Sequence, residues 1–259
     1  LVRLGQRRAD QPPDMHDPCD GQAPAFAEDG SLYYVMELLE GSDLQDVVGE
    51  SGRLPVARVV HIWRQVCASL AEAHEVGLVH RDIKPANVFL CAYGRARDFV
   101  KVLDFGLVKV ATPKGGSLTL AGAVTGTPAY MAPEQTVDSR DVDPRADVYA
   151  VAALAHFMLT GRLMFGDLAP AAYLAAHRTR DAPALADAGV EAPAALQRLL
   201  DACLAKDRDA RPATMDAVAD ALDPIAEALP PWPPRTVIPA AAPGRTAAEP
   251  RSSRSADRQ

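Results

Sequence analysis

His80-Arg81-Asp82-Ile83-Lys84-Pro85-Ala86-Asn87 places a carboxylate, an ammonium and a side-chain amide within eight residues. Seventeen positions after Asn87 comes Asp104-Phe105-Gly106, a second carboxylate followed by a conformationally permissive residue. Transfer of a γ-phosphoryl group asks a protein mainly for positioning and charge neutralisation, because the phosphate does most of the bond chemistry itself. Two such motifs, in this order, are what the acceptor and magnesium side of that reaction needs. A polar loop whose Asp and Asn only cap turns would explain a lone Asp-Phe-Gly. It does not explain both motifs.

On these residues the chain resembles the eukaryotic-type serine/threonine protein kinases of bacteria. The resemblance covers about residues 23–228, a complete large lobe and one edge of the small lobe. It implies an α+β, protein-kinase-like fold: a mainly helical C-lobe with only a remnant β-hairpin of the N-lobe. Asp82 would orient the acceptor hydroxyl and take its proton, and Lys84 would neutralise charge on the transferred phosphoryl group. Asn87 and Asp104 would supply oxygens to Mg²⁺, which accepts few protein ligands beside phosphates and water. The hinge Glu37-Leu38-Leu39 would bind the adenine edge of ATP through its backbone, with Met36 behind it. ATP contacts are therefore expected at Glu37, Leu39, Lys84, Asn87 and Asp104.

The same resemblance assigns supporting roles to His80, Arg81, Phe105 and Gly106. Thr127, in Gly126-Thr127-Pro128-Ala129-Tyr130, stands where such kinases place a threonine against the catalytic loop. With Lys84 it implies a protein substrate whose acceptor is serine or threonine. Asp147 would hold the backbone of the catalytic loop from below. Glu134, closing Met131-Ala132-Pro133-Glu134, would pair with Arg211 of Arg211-Pro212 across the large lobe. Thr119 is the candidate phosphosite, with Arg81 as partner for the added phosphate; Thr125 and Ser117 are weaker candidates.

Composition narrows the classes. The formal net charge of −7 argues against a nucleic-acid surface. Cys19, Cys67, Cys91 and Cys203 are scattered with no Cys-x-x-Cys pair, which reads as reduced thiols of a cytoplasmic protein. No apolar run approaches the roughly 20 residues of a membrane span; the best candidate, Val148 to Leu159, is short and contains His156. Abundant Ala and Arg point to a bacterial source. As partners, a protein substrate is expected, and a homodimer stays open.

Along the chain, Leu1 to Gln22 shows no periodicity and is broken by prolines, so residues 1–22 read as a disordered leader. Glu28-Asp29-Gly30 signals a hairpin turn before the β-rich Leu32-Tyr33-Tyr34-Val35-Met36. Ser42 or Asp43 is the expected cap of a short helix. Apolar residues at Val59, Ile62, Val66 and Leu70 predict a second helix, opened by Pro55 and stopped by Gly77. Arg95 to Asp98 reads as a polar hairpin insertion before a strand Phe99 to Leu103. The Gly-, Thr- and Ser-rich stretch 112–126 reads as a mobile loop. A helix opening at Asp147-Val148-Tyr149 is apolar nearly all round to Leu159, as a buried strut would be. Thr214 should cap a last helix reaching about Leu229, and residues 229–259, rich in Pro, Ala and Arg, read as a disordered tail.

Ahead of the hinge there is no Gly-x-Gly and no lysine, and the one glutamate, Glu28, sits in the hairpin turn. A complete kinase clamps the ATP phosphates with such groups. The chain therefore reads as an N-terminally truncated kinase. The alternative is a catalytically impaired pseudokinase or protein-binding module. Either way, the chain as given is expected to expose the apolar face of its small-lobe hairpin, which predicts poor solubility or recruitment of a partner. A small-molecule phosphotransferase is disfavoured by the long segment ending in Ala132-Pro133-Glu134.

Overall fold

The computed structural model describes residues 37–93, 96–105, 128–137 and 142–232, with the backbone of two short strands before them. Those strands, β1 (Pro24–Phe26) and β2 (Leu32–Tyr34), pair antiparallel, with Pro24 opposite Tyr34. A second sheet joins β3 (Gly41–Asp43), β4 (Val88–Tyr93) and β5 (Ala96–Val102) in that spatial order, all antiparallel. The helices are α1 (Leu44–Ser51), α2 (Val56–Glu75), α3 (Arg145–Thr160), α4 (Pro170–Thr179), α5 (Ala194–Cys203) and α6 (Met215–Glu227).

α3 is the centre of the lobe. Every residue from Ala146 to Thr160 is buried, so the helix has no solvent face, as its sequence, apolar nearly all round, requires. It ends at Gly161, whose φ of 69° is left-handed. A Cβ there would also fall 1.6 Å from the carbonyl oxygen of Gly52. Backbone conformation and close approach both demand glycine at that position. α2 lays Val59, Ile62, Trp63, Val66, Cys67 and Leu70 into the core, packing on α3, α6 and β5. Asp43 caps α1 by accepting the Asp46 N–H at 2.9 Å, and Thr214 caps α6 by accepting the Ala217 N–H at 3.1 Å. Caps of this kind typically stabilise a helix by about 1 kcal/mol.

Two sequence expectations change. Gly41 to Asp43 is a strand before it is a cap: it pairs with β4, Gly41 opposite Cys91 and Asp43 opposite Phe89. Three residues are too few for alternation to show, and Gly41 is needed because a Cβ would meet the Leu90 oxygen at 2.0 Å. The polar insertion Arg95–Asp98 is largely strand. β5 starts at Ala96 and ends at Val102, with Asp98 at a φ of 57° inside it. Its polar opening hides the strand, since Asp98 is held by tertiary partners that local pattern cannot show. α6 stops at Glu227, close to the expected Leu229, and beyond it the Trp232 side chain bonds Asp98. The leader 1–22 lies outside the described residues. Among the described residues no helix is long and apolar enough to cross a membrane.

Candidate active site

The loop between α2 and β4 is built around one carboxylate. Asp147, on the first turn of α3, has no solvent exposure and three donors. His80 N–H and Arg81 N–H donate to its Oδ2 and Oδ1, both at 2.8 Å, and His74 Nε2, from the last turn of α2, reaches Oδ2 at 2.8 Å. Two successive amides aimed at one buried carboxylate fix the direction in which the chain leaves His80. Arg81 adopts a φ of 68°, and its carbonyl accepts the Gln135 Nε2–H at 2.9 Å. Such a backbone costs roughly 1–3 kcal/mol and persists where neighbours over-determine it.

His80 is fully buried and bridges the two motifs. Its Nδ1 accepts the Asp82 N–H at 3.3 Å, which leaves Nε2 to donate to the Leu103 carbonyl at 2.9 Å. The ring lies 4.8 Å from that of Phe105. Leu103 N–H in turn donates to the Asn87 carbonyl at 2.8 Å, extending the hairpin register in which Val88 faces Val102. Asn87 and Asp104 are thereby carried on adjoining ends of one antiparallel hairpin. Asp104 is exposed, at a φ of 59°.

Around Asp82 the contacts are short. Lys84 Nζ donates to Asp82 Oδ2 at 2.7 Å, and Asn87 Nδ2 donates to the Asp82 carbonyl at 2.9 Å. Asn87 is buried, Pro85 opens the single 3₁₀ turn Pro85–Asn87, and with Nδ2 spent on Asp82 the amide's other end is an oxygen. Carboxylate, ammonium and amide are thus tied into one unit.

Glu134 and Arg211 meet in a bidentate pair, Nη1 to Oε1 at 2.7 Å and Nη2 to Oε2 at 2.8 Å. The other guanidinium hydrogens go to the carbonyls of Ala205, Arg145 and Lys206, and the guanidinium carbon lies 5.0 Å from the Tyr149 ring centroid. All five donors of a buried cation are used, which a lysine could not do. Glu37 pairs with Lys101 of β5, and Leu38 beside it is 92% exposed; Leu39 is half-buried. Met36 and Gly106 lie outside the described residues, as do Thr127 and the candidate phosphosites Thr119, Thr125 and Ser117.

Two residues that sequence reasoning passed over belong to this scaffold. His74 sits in the last turn of α2, where a basic residue favours the helix dipole, so its spacing announced nothing more. Gln135 accepts the Ala132 N–H at 3.0 Å while donating to the Arg81 carbonyl, joining the end of the Ala132-Pro133-Glu134 segment to the loop bearing Asp82. No local signal marks it, since both partners are backbone groups.

Known proteins agree with this architecture. The protein kinase domain family model matches residues 22–222, and the chain belongs to that family. It is 44% identical over 190 residues to serine/threonine-protein kinase Pkn1 of Myxococcus xanthus, covering 73% of this chain and 27% of that protein. Serine/threonine-protein kinase A of Synechocystis is 37% identical over 204 residues, with 74% and 38% covered. The crystal structure of the Mycobacterium tuberculosis PknI kinase domain superposes with a TM-score of 0.57 at 28% identity, covering 78% of this chain and 68% of that one. The chain thus spans roughly a quarter to two fifths of the length of these curated relatives.

Proposed function

We propose that this chain carries the acceptor-side half of a serine/threonine protein kinase, moving the γ-phosphoryl group of ATP to a Ser or Thr hydroxyl of a protein. The observation that carries the reading is the Asp82 unit, with Lys84 Nζ on its carboxylate at 2.7 Å and Asn87 Nδ2 on its carbonyl at 2.9 Å. Asp82 then holds the acceptor hydroxyl and takes its proton, while Lys84 stands beside the same carboxylate to meet the negative charge of the transferred group.

The donor set fits magnesium: an amide oxygen at Asn87 and a carboxylate at Asp104 are hard oxygens at one end of a single hairpin, and phosphates and water complete such a site. When bound, Mg²⁺ would neutralise phosphate charge. The backbone of Glu37 and Leu39 would take the adenine edge, and Thr119 would be the regulatory phosphosite. Cys67, Cys91 and Cys203 are buried free thiols, and burial pushes Cys203 up to about 12, in keeping with a cytoplasmic setting. We place the kinase domain at residues 23–228.

The test is phosphate transfer to a Ser/Thr peptide by the chain joined, ahead of Pro24, to a kinase small lobe bearing a glycine-rich loop and strand lysine. Asp82→Asn should lower the rate by about 10²–10⁴-fold, the usual worth of a positioned general base. Undiminished transfer by that variant would overturn the assigned base.

A further inference from the structure

Trp232 follows the last helix in Leu229-Pro230-Pro231-Trp232-Pro233-Pro234, and its side chain turns back onto the face made by α2 and β5. Its Nε1–H donates to Asp98 Oδ2 at 2.7 Å, and the Arg58 guanidinium carbon lies 5.4 Å from the ring centroid. Arg58 also holds Asp98, Nε to Oδ2 at 2.8 Å and Nη2 to Oδ1 at 2.7 Å. The Arg58 and Asp98 side chains are 19% and 9% exposed, so this charge pair is largely withdrawn from water.

The chemistry selects an indole. Arg58, fixed flat by two bonds to one carboxylate, offers a cationic platform for a π face. Asp98 Oδ2 offers an acceptor at the ring's edge. Phenylalanine has the face without the donor, and tyrosine carries its donor at the far end of the ring. Pro230 and Pro231 have a fixed φ, so less chain entropy is lost on docking.

The site is also wired into β5. Gln65 Nε2 donates to the Asp98 carbonyl at 2.8 Å, and Gln65 Oε1 accepts the Val100 N–H at 3.1 Å, so α2 grips the strand on both sides of Phe99. Asp98 therefore connects the tail to the hairpin whose opposite end carries Asn87 and Asp104.

We propose that the segment after α6 is a latch: Trp232 occupies a tryptophan-recognition site formed by Arg58 and Asp98 of its own chain, clamping β5 to α2. The occupant is in cis because only residues 228–231 separate Glu227 from Trp232, and α6 itself packs on α2.

Acrylamide quenching reads the latch directly, since the other tryptophan, Trp63, is fully buried and contributes little to quenching. Trp232 in the native chain should be quenched severalfold less than in the urea-unfolded chain, and Arg58→Gln should raise quenching toward the unfolded value. Independently, Trp232→Phe should speed amide exchange in β5 by about tenfold, the worth of one hydrogen bond to a charged acceptor, with α3 amides unchanged. Quenching that Arg58→Gln leaves unaltered, or β5 exchange indifferent to Trp232→Phe, overturns the latch. Protection of Trp232 that grows with chain concentration assigns the indole to a second copy and overturns the cis arrangement. Neither readout involves catalysis, so the outcome stands apart from the proposed kinase activity.

Discussion

Asp147 and Glu37 are carboxylates that each close a long-range contact, Asp147 to residues 66, 67 and 73 positions away and Glu37 to one 64 positions away. Their surroundings differ. Asp147 has no exposed side-chain surface and sits on a helix buried on all sides, with two backbone amides and a histidine pointed at it. Glu37 leaves 57% of its side chain in water and pairs with a flexible lysine. Inside the lobe an unpaired group has no solvent to turn to, so every missing partner is costly. At the edge, water replaces the partner at little loss. The loop bearing Asp82 is therefore fixed by buried polar contacts, whereas the hinge side owes its position to the backbone pairing of β3 with β4.

The largest effect should come from removing the buried carboxylate. Asp147→Ala strands the His80 and Arg81 amides and His74 together, and should destabilise the lobe by about 3–5 kcal/mol. Urea unfolding measures the loss, and exchange of the His80 and Arg81 amides should accelerate more than that of α3. A change below about 1 kcal/mol would erase the contrast with Glu37.

A second buried contact sharpens the same comparison through pH. His177 is fully buried, with Nδ1 2.9 Å from the Tyr149 hydroxyl and its ring 5.1 Å from Phe165. Burial pushes its pKa down from 6.5 to about 4, the Lys206 charge adds to the drop, and the carbonyls of Ala129 and Pro128 oppose it. The folded chain thus keeps His177 neutral while the unfolded chain titrates normally. As pH falls from 6.5 towards 4, only the unfolded state gains this proton, so stability is lost through that window and is constant above it. The loss from this group is about 3 kcal/mol in all. Asp143, held low chiefly by its hydrogen bond from Arg145, gives up its contribution only below the ordinary carboxylate range. His177→Gln should flatten the slope of stability between pH 6.5 and about 4. An unchanged slope would show that burial of this ring does not control its charge. His156, lowered by burial as well, keeps a residual slope of the same sign.

What could be read from the sequence follows the same division. The grouping of Asp82, Lys84 and Asn87 into one bonded unit is legible, because the three lie within six residues of one another in the chain. α2 and α3 are legible because burial imposes a period or abolishes one. His74, Gln135 and Trp232 were not, because each acts on a group tens of residues away: His74 on Asp147, Gln135 on Arg81 and Trp232 on Asp98. Asp98 is the sharpest case. In its local setting it marks a turn, and only the fold brings Arg58 and Trp232 to it.

The smallest effect belongs to the exposed pair. Glu37→Gln removes the charge but keeps the shape and an acceptor oxygen for Lys101. Exposed ion pairs of this kind contribute about 0–1 kcal/mol, and screening by salt reduces them further. The variant should therefore unfold in urea within about 1 kcal/mol of the parent, and the difference should shrink as salt is raised. If adenine is held by the backbone of Glu37 and Leu39, ATP affinity in the chain fused to a small lobe should also be nearly unchanged, because the side chain carries none of that recognition. A loss of stability approaching that of Asp147→Ala would mean that the hinge is fixed by its ion pair rather than by the β3–β4 ladder, and the contrast between the two carboxylates would fail at its exposed end.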